Sequence, residues 1–215
     1  MLKRLTDAAG TGLLMLLGLA VAAASARYVF PALGEPAPSM APHIARWPWA
    51  VIVHVAGGIA ALTLGPIQLV TRRGTRRAWH RLGGRLYVLA CLSSAVAGLW
   101  LALSTWAGPV ATAGFGLLAV FWFFTTIMGW RRAVQGRIDE HRRWMIRSLA
   151  LTCAAITLRL MIPAVIIGGL PFEDAYRAIA FLCWVPNFLL VELWFRLGGG
   201  RLRPAEMSAA GPRTG

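Results

Sequence analysis

Apolar residues fall into six stretches, each about as long as the ~20 residues a bilayer core requires, separated by short polar gaps. The pattern predicts helices from about Ala8 to Phe30, Trp49 to Val70, Leu86 to Trp106, Val110 to Trp130, Trp144 to Leu170 and Tyr176 to Phe195. Only Ala107-Gly108-Pro109 joins the third and fourth stretches, which makes them an antiparallel hairpin. The link from Pro31 to Pro48 is rich in proline, with Glu35 its only acid. Gly57-Gly58 and Gly65-Pro66 in the second stretch, and Gly114 and Gly116 in the fourth, are small residues that let neighbouring helices approach closely.

Charge orients this pattern. Of the 22 basic residues, eighteen lie in alternate gaps. Lys3 and Arg4 precede the first stretch, and Arg72, Arg73, Arg76, Arg77, Arg81 and Arg85 follow the second. Arg131, Arg132, Arg137, Arg142, Arg143 and Arg147 follow the fourth, and Arg196, Arg201, Arg203 and Arg213 follow the sixth. The opposite gaps hold Arg27, Arg46 and Arg177, and Arg159 lies inside the fifth stretch. The positive-inside rule then places both termini in the cytoplasm and predicts an all-α, polytopic bundle of six transmembrane helices in the inner (plasma) membrane. Tryptophan agrees: Trp47, Trp49, Trp100 and Trp106 mark the outer interface, and Trp79, Trp130, Trp144 and Trp194 the inner one. Trp122 and Trp184 lie deeper, as packing residues. Residues 1–200 read as one transmembrane domain with its core at about 48–197, and the polar tail 201–215 as disordered.

Composition narrows the partners. Of the 215 residues, 58% are hydrophobic and 14% charged, and the mean hydropathy of +0.63 is too high for an ordinary soluble domain. The net charge of +14 sits in short loops beside apolar spans, so anionic phospholipid headgroups of the inner leaflet are the expected partner rather than nucleic acid. Cys91, Cys153 and Cys183 have no paired spacing and read as small buried hydrophobes. Lys3-Arg4, the first apolar run and Ala22-Ala23-Ala24-Ser25-Ala26 also fit a secretory signal with a small-residue cleavage site. Cleavage would leave five spans and an external N-terminus. Signatures of soluble enzymes are missing: no nucleophile-plus-base motif, phosphate-binding glycine loop or thiolate metal motif occurs.

Titratable groups at membrane depth are costly, which makes His54, Arg159 and Glu192 candidates by default. His54 lies four to six residues inside its helix, some 6 to 9 Å below the outer interface at ~1.5 Å per residue. It is a candidate metal or haem ligand or proton carrier, or a neutral ring bonded to a neighbouring helix. Arg159, twelve residues past Arg147, lies ~18 Å from the inner interface and needs a partner: an anionic ligand group, or water and helix carbonyls near breaks expected at Pro163 and Pro186. Glu192 is four residues before Arg196, a spacing that allows an interfacial ion pair on one helix. At the inner face His80 opens the third helix and His141 the fifth. Entering from the same side, the two imidazoles can share one metal or the axial positions of one haem, with Asp139 and Glu140 as supporting acceptors. The arginines around them disfavour a bare cation and suit an anionic porphyrin, or make both histidines part of a lipid-facing basic cluster.

Gly65-Pro66-Ile67-Gln68, His80-Arg81-Leu82-Gly83-Gly84-Arg85-Leu86-Tyr87 and Glu140-His141-Arg142-Arg143-Trp144-Met145-Ile146-Arg147 resemble the bacterial membrane-protein family catalogued as domain of unknown function 2306. The resemblance covers about residues 50 to 190 and brings no activity with it. A weaker likeness is to cytochrome b-561-type transmembrane electron carriers, whose four core helices carry histidines for two haems. In that arrangement His80 pairs with His141, but His54 finds no histidine between Val110 and Gly116, so one haem site lacks a ligand. Three readings follow. The first is a redox protein with haem b at His80 and His141, Arg159 or loop arginines on the propionates, His54 at a second site, and a membrane redox partner. The second is a transporter of a small anionic or lipidic molecule with Arg159 as counter-ion, and the third a non-catalytic accessory subunit.

Overall fold

The computed structural model describes residues 2–36, 40–71 and 77–198, with side chains from residue 9 onward and without that of Arg77; every regular element among them is helical. The tail 201–215, Arg72, Arg73 and Arg76, and the side chains of Lys3, Arg4 and Arg77, lie outside the described residues. In chain order the helices are α1 (Leu2–Ser25), α2 (Ala41–Arg46), α3 (Pro48–Thr71), α4 (Arg77–Leu103), α5 (Gly108–Val134), α6 (Ile138–Thr152), α7 (Ala154–Ile167), α8 (Phe172–Leu182) and α9 (Val185–Arg196). Short 3-10 turns at Ala26–Tyr28 and Pro31–Leu33 follow α1. The pairs α6–α7 and α8–α9 are each one broken span, which gives six units long and apolar enough to cross a membrane.

Several helices start earlier than hydropathy predicts. α4 begins at Arg77, not Leu86, and α6 at Ile138, not Trp144, because their first turns are polar and carry the helix out of the apolar layer. Asp139 and Glu140 suit the positive end of the α6 dipole. The turn between α5 and α6 closes on Gly136 at φ +72, with Arg137 N–H donating to the Arg132 carbonyl and Gly136 N–H to that of Ala133. This C-cap pattern needs a residue without a Cβ at its left-handed position.

The breaks also differ from expectation. The fifth span bends at Cys153, where the Thr152 and Thr157 hydroxyls donate to the Ser148 and Cys153 carbonyls, a back-bonding that bends helices. Pro163 sits inside α7 without ending it, and having no N–H it leaves the Arg159 carbonyl without its helical partner. The sixth span breaks at Cys183–Trp184, and Pro186 follows in the first turn of α9, where its missing N–H costs nothing.

Small residues set the packing. A Cβ at Gly57 would lie 2.7 Å from the Ala90 carbonyl oxygen, so α3 meets the α4 backbone directly. Gly114 does the same for α5 against Ala180 of α8, and Gly18 brings α1 onto Leu62 of α3. A buried polar cluster joins α4, α5 and α6 at the centre. The Tyr87 hydroxyl lies 2.9 Å from Thr152 Oγ1 and 3.1 Å from Ser148 Oγ, Trp122 Nε1–H donates to Thr152 Oγ1, and the Ser148 and Thr126 hydroxyls are 2.7 Å apart. All five side chains are buried, and with no water to replace these partners each lost bond leaves an orphan group.

Candidate functional site

Residues of the eight helices α1 to α8 and of the turn after α1 line a cavity of about 490 Å³ at the end of the bundle opposite the α5–α6 arginine turn. That volume is in the range of small-molecule sites. Val55, Leu62, Leu101, Phe115, Leu118, Leu158 and Ile162 give it apolar walls, and Trp122 and Thr152 connect it to the central polar cluster. Arg27, Tyr28, His43, His54, Ser94, Thr105, Arg159 and Tyr176 supply its polar groups, and among the described residues no Asp or Glu lines it.

His54 is fixed by a clasp between α3 and α4. Its Nδ1 lies 2.9 Å from the Ser94 carbonyl, and the Ser94 hydroxyl donates to the His54 carbonyl at 2.7 Å. A carbonyl only accepts, so Nδ1 carries the proton and Nε2 keeps a lone pair. The ring needs the space at Gly98, where a Cβ would come within 2.8 Å of Nδ1. Arg159 reaches the same cavity from α7 and donates to the Ala155 carbonyl at 3.4 Å, a long bond that takes one of its five N–H donors. Arg27 and Tyr28 lie within electrostatic reach of it.

Arg27 and His43 carry no sequence signal as site residues, since Arg27 looks like a flanking charge at the outer end of the first span and His43 like an ordinary residue of an exposed link. The structure places both on the cavity lining, Arg27 half-buried and His43 buried. Arg27 lies over the Tyr28 ring at 5.4 Å while its Nε is buried without a hydrogen-bond partner. His43 is 8% exposed, and its Nδ1 also has no partner. Burial holds the His43 imidazole below its ordinary pKa, with a hydrogen bond to the Leu101 carbonyl acting in the opposite sense. Depth arithmetic was the available signal for the meeting of His54 and Arg159. A group 18 Å from one face of a ~30 Å core is about 12 Å from the other, close to the depth of His54.

The remaining candidates lie elsewhere. Glu192 does not pair with Arg196 along its own helix; it takes both arms of Arg147 on α6, at 2.5 Å (Nε–Oε1) and 2.9 Å (Nη2–Oε2). A planar two-bond fork across helices outcompetes a single flexible pair on one helix face. The Arg147 guanidinium also lies 4.8 Å from the Trp144 and Phe195 rings, so this residue set ties α6 to α9. His80 lies in the first turns of α4, and His141 Nδ1 donates to the Gly129 carbonyl at 2.8 Å, leaving its Nε2 for another partner. Each stands seven residues, about two helical turns, before one member of the Tyr87–Ser148 contact, toward the same end of the bundle. Neither lines the cavity. Glu140 is engaged by Arg132 and Arg137, and among the described residues no group of three or more His, Cys, Asp or Glu gathers to hold a metal ion.

Residues 51–195, about two thirds of the chain, match the model of the family described as predicted membrane protein, DUF2306. No curated protein and no solved structure matches the chain.

Proposed function

The chain belongs to the DUF2306 family of predicted membrane proteins, and from that premise we propose that it binds a small anionic amphiphile inside the bilayer, in the cavity walled by α3, α4, α5 and α7. One observation carries the reading: Arg159, on a membrane-spanning helix, faces a cavity that no carboxylate among the described residues lines. A guanidinium at this depth needs a counter-charge, and the ligand supplies it. The apolar walls take the body of the molecule, while Arg159 takes the head. A bidentate arginine–anion pair is worth roughly 1.5–3 kcal/mol, or at least about tenfold in affinity.

Native mass spectrometry of the protein extracted in lipid nanodiscs tests this. The wild type is expected to carry an anionic amphiphile that R159Q loses while keeping its thermal midpoint. A wild type that arrives empty and also fails to take up added anionic amphiphile refutes the reading.

A second reading has an observation of its own, the placement of His80 on α4 and His141 on α6 about two turns before the Tyr87–Ser148 contact, toward the same end of the bundle. A b-type haem between them would draw one imidazole nitrogen from each, supply one-electron chemistry, and have neighbouring arginines for its propionates. A reduced-minus-oxidised spectrum with a Soret and α-band pair, lost in both H80A and H141A, is what this reading expects; a colourless, iron-free protein from haem-supplied cells ends it.

A further inference from the structure

Resting on the anionic-amphiphile reading, we propose that the cavity is built for a phosphomonoester head on an apolar body, and that Arg27 and His43 select that head. Charge is the first reason. The cavity gathers two guanidinium groups from different elements, Arg27 from the turn after α1 and Arg159 from α7, with no acid among the described residues that line it. A carboxylate neutralises one of them. A phosphomonoester, at about −1.5 to −2 near neutral pH, matches both.

Shape is the second. A planar carboxylate that meets one arginine fork uses both its oxygens on that fork. The tetrahedral phosphate has three terminal oxygens and accepts from forks that arrive from two directions. Arg27 is placed for the second one: Tyr28 covers its face, and its buried Nε has no hydrogen-bond acceptor among the described residues.

His43 adds a third. Burial favours the neutral form of its ring, and the Leu101 carbonyl favours a proton on the nitrogen other than the buried Nδ1, which has no partner among the described residues and is left as an acceptor in want of a donor. A phosphomonoester, whose second pKa is about 6, has one exchangeable proton near neutral pH and shares it with such a nitrogen, as P–O–H···N or, with the proton moved to the ring, P–O⁻···H–N⁺, while its two other terminal oxygens face the arginine forks. A carboxylate near neutral pH has no proton to offer.

These selecting residues stand ahead of residue 51, where the family match begins, whereas His54 and Arg159 fall within it. The segment that carries them is held in place by Tyr28, Val29, Met40 and Trp47 packed on Val51 and Leu101. Residues of the family region thus supply the anion site, and the N-terminal segment of this chain supplies the discrimination.

The test is a titration of the full-length protein in nanodiscs with dodecyl phosphate, dodecanoate and inorganic phosphate, read by tryptophan fluorescence, since Trp122 lines the cavity. Dodecyl phosphate is expected to bind at least about tenfold more tightly than dodecanoate, and inorganic phosphate far more weakly than either. R27Q and H43F are expected to erase the preference while still binding dodecanoate, which serves as the check on folding; R27K, charged but without the fork, is expected to recover only part of it. Equal affinities in the wild type, a preference that survives R27Q and H43F, or loss of both amphiphiles in those variants, overturns the phosphate assignment. If wild-type dodecanoate binding remains sensitive to R159Q in that event, the anionic-amphiphile reading stands alone. Inorganic phosphate binding as tightly as dodecyl phosphate overturns the apolar-body half, and failure of both amphiphiles to bind the wild type overturns the reading beneath it.

Discussion

Replacing Tyr87 with Phe and Thr152 with Val removes one hydroxyl each from the same buried cluster, yet the structure predicts unequal costs. The protons can be traced. Trp122 Nε1–H donates to Thr152 Oγ1, the Thr152 hydroxyl to the Ser148 carbonyl and the Thr126 hydroxyl to the Trp122 carbonyl. The Thr126 proton being committed, Ser148 donates to Thr126 across their 2.7 Å contact, and Tyr87 donates to Thr152 or Ser148. Tyr87 stands at the head of this chain, so Y87F removes a donor and leaves every remaining proton with an acceptor. The cost is that of one net hydrogen bond, about 1 kcal/mol, or nearer 0.6 kcal/mol on membrane averages. T152V removes the acceptor of both Tyr87 and Trp122. Tyr87 can turn to Ser148, but the indole N–H is orphaned, which adds roughly 1–3 kcal/mol. Unfolding in bicelles, titrated with SDS and followed by tryptophan fluorescence, should place T152V below Y87F by about 1–2 kcal/mol. A Y87F variant as destabilised as T152V, or more so, refutes the proton assignment.

Other consequences are open to the same kind of measurement. G57A drives a methyl into the α4 backbone and should cost about 1–3 kcal/mol, whereas neighbouring G58A, whose Cβ meets nothing within 4 Å, should gain up to about 1 kcal/mol from helix propensity; equal midpoints for the two would contradict the α3–α4 contact. E192A should lose about 1–3 kcal/mol in the unfolding assay through the freed Arg147, while R196A stays within about 0.5 kcal/mol; the reverse order would restore the pairing expected from spacing. His43 has a pKa lowered in the folded state, so the unfolded chain binds the proton more tightly, and its contribution to stability is present above the ordinary value of 6.5 and lost as pH falls below it. H43Q should flatten the melting profile between about pH 6.5 and the acid limb, and an unchanged profile would contradict this.

The six spans were legible because bilayer thickness writes itself into sequence as runs of apolar residues. Their ends were less so. Hydropathy does not register the polar first turns at Arg77 and Ile138, which are helical through their backbone bonds and lie outside the apolar run. Proline marked the wrong bend in the fifth span: Pro163 is absorbed within α7, and the hydroxyl-bearing residues around Cys153 make the break instead. Among site residues, His54 and Arg159 stood out because charge and polarity are costly at depth. Their convergence did not, because it depends on which helices adjoin, and that is set by close contacts such as Gly57 on α4 and Gly114 on α8. Arg27 looked like a charge flanking the first span and His43 like a link residue, since nothing local to either reveals that this segment folds back over the cavity. Glu192 was assigned its nearer partner by spacing and found a better one across the bundle.

The account turns on Arg159 holding an anion within the membrane. The most direct measurement is the binding of dodecanoate and of dodecylammonium, equal in chain and opposite in charge, to the wild type and to R159Q in nanodiscs of zwitterionic lipid. The wild type is expected to bind the carboxylate at least about tenfold more tightly than the ammonium, and R159Q, with its fold intact, to lose most of this difference, the remainder being due to Arg27. Equal binding of the two by the wild type, or a preference for the anion untouched by R159Q, would contradict the account.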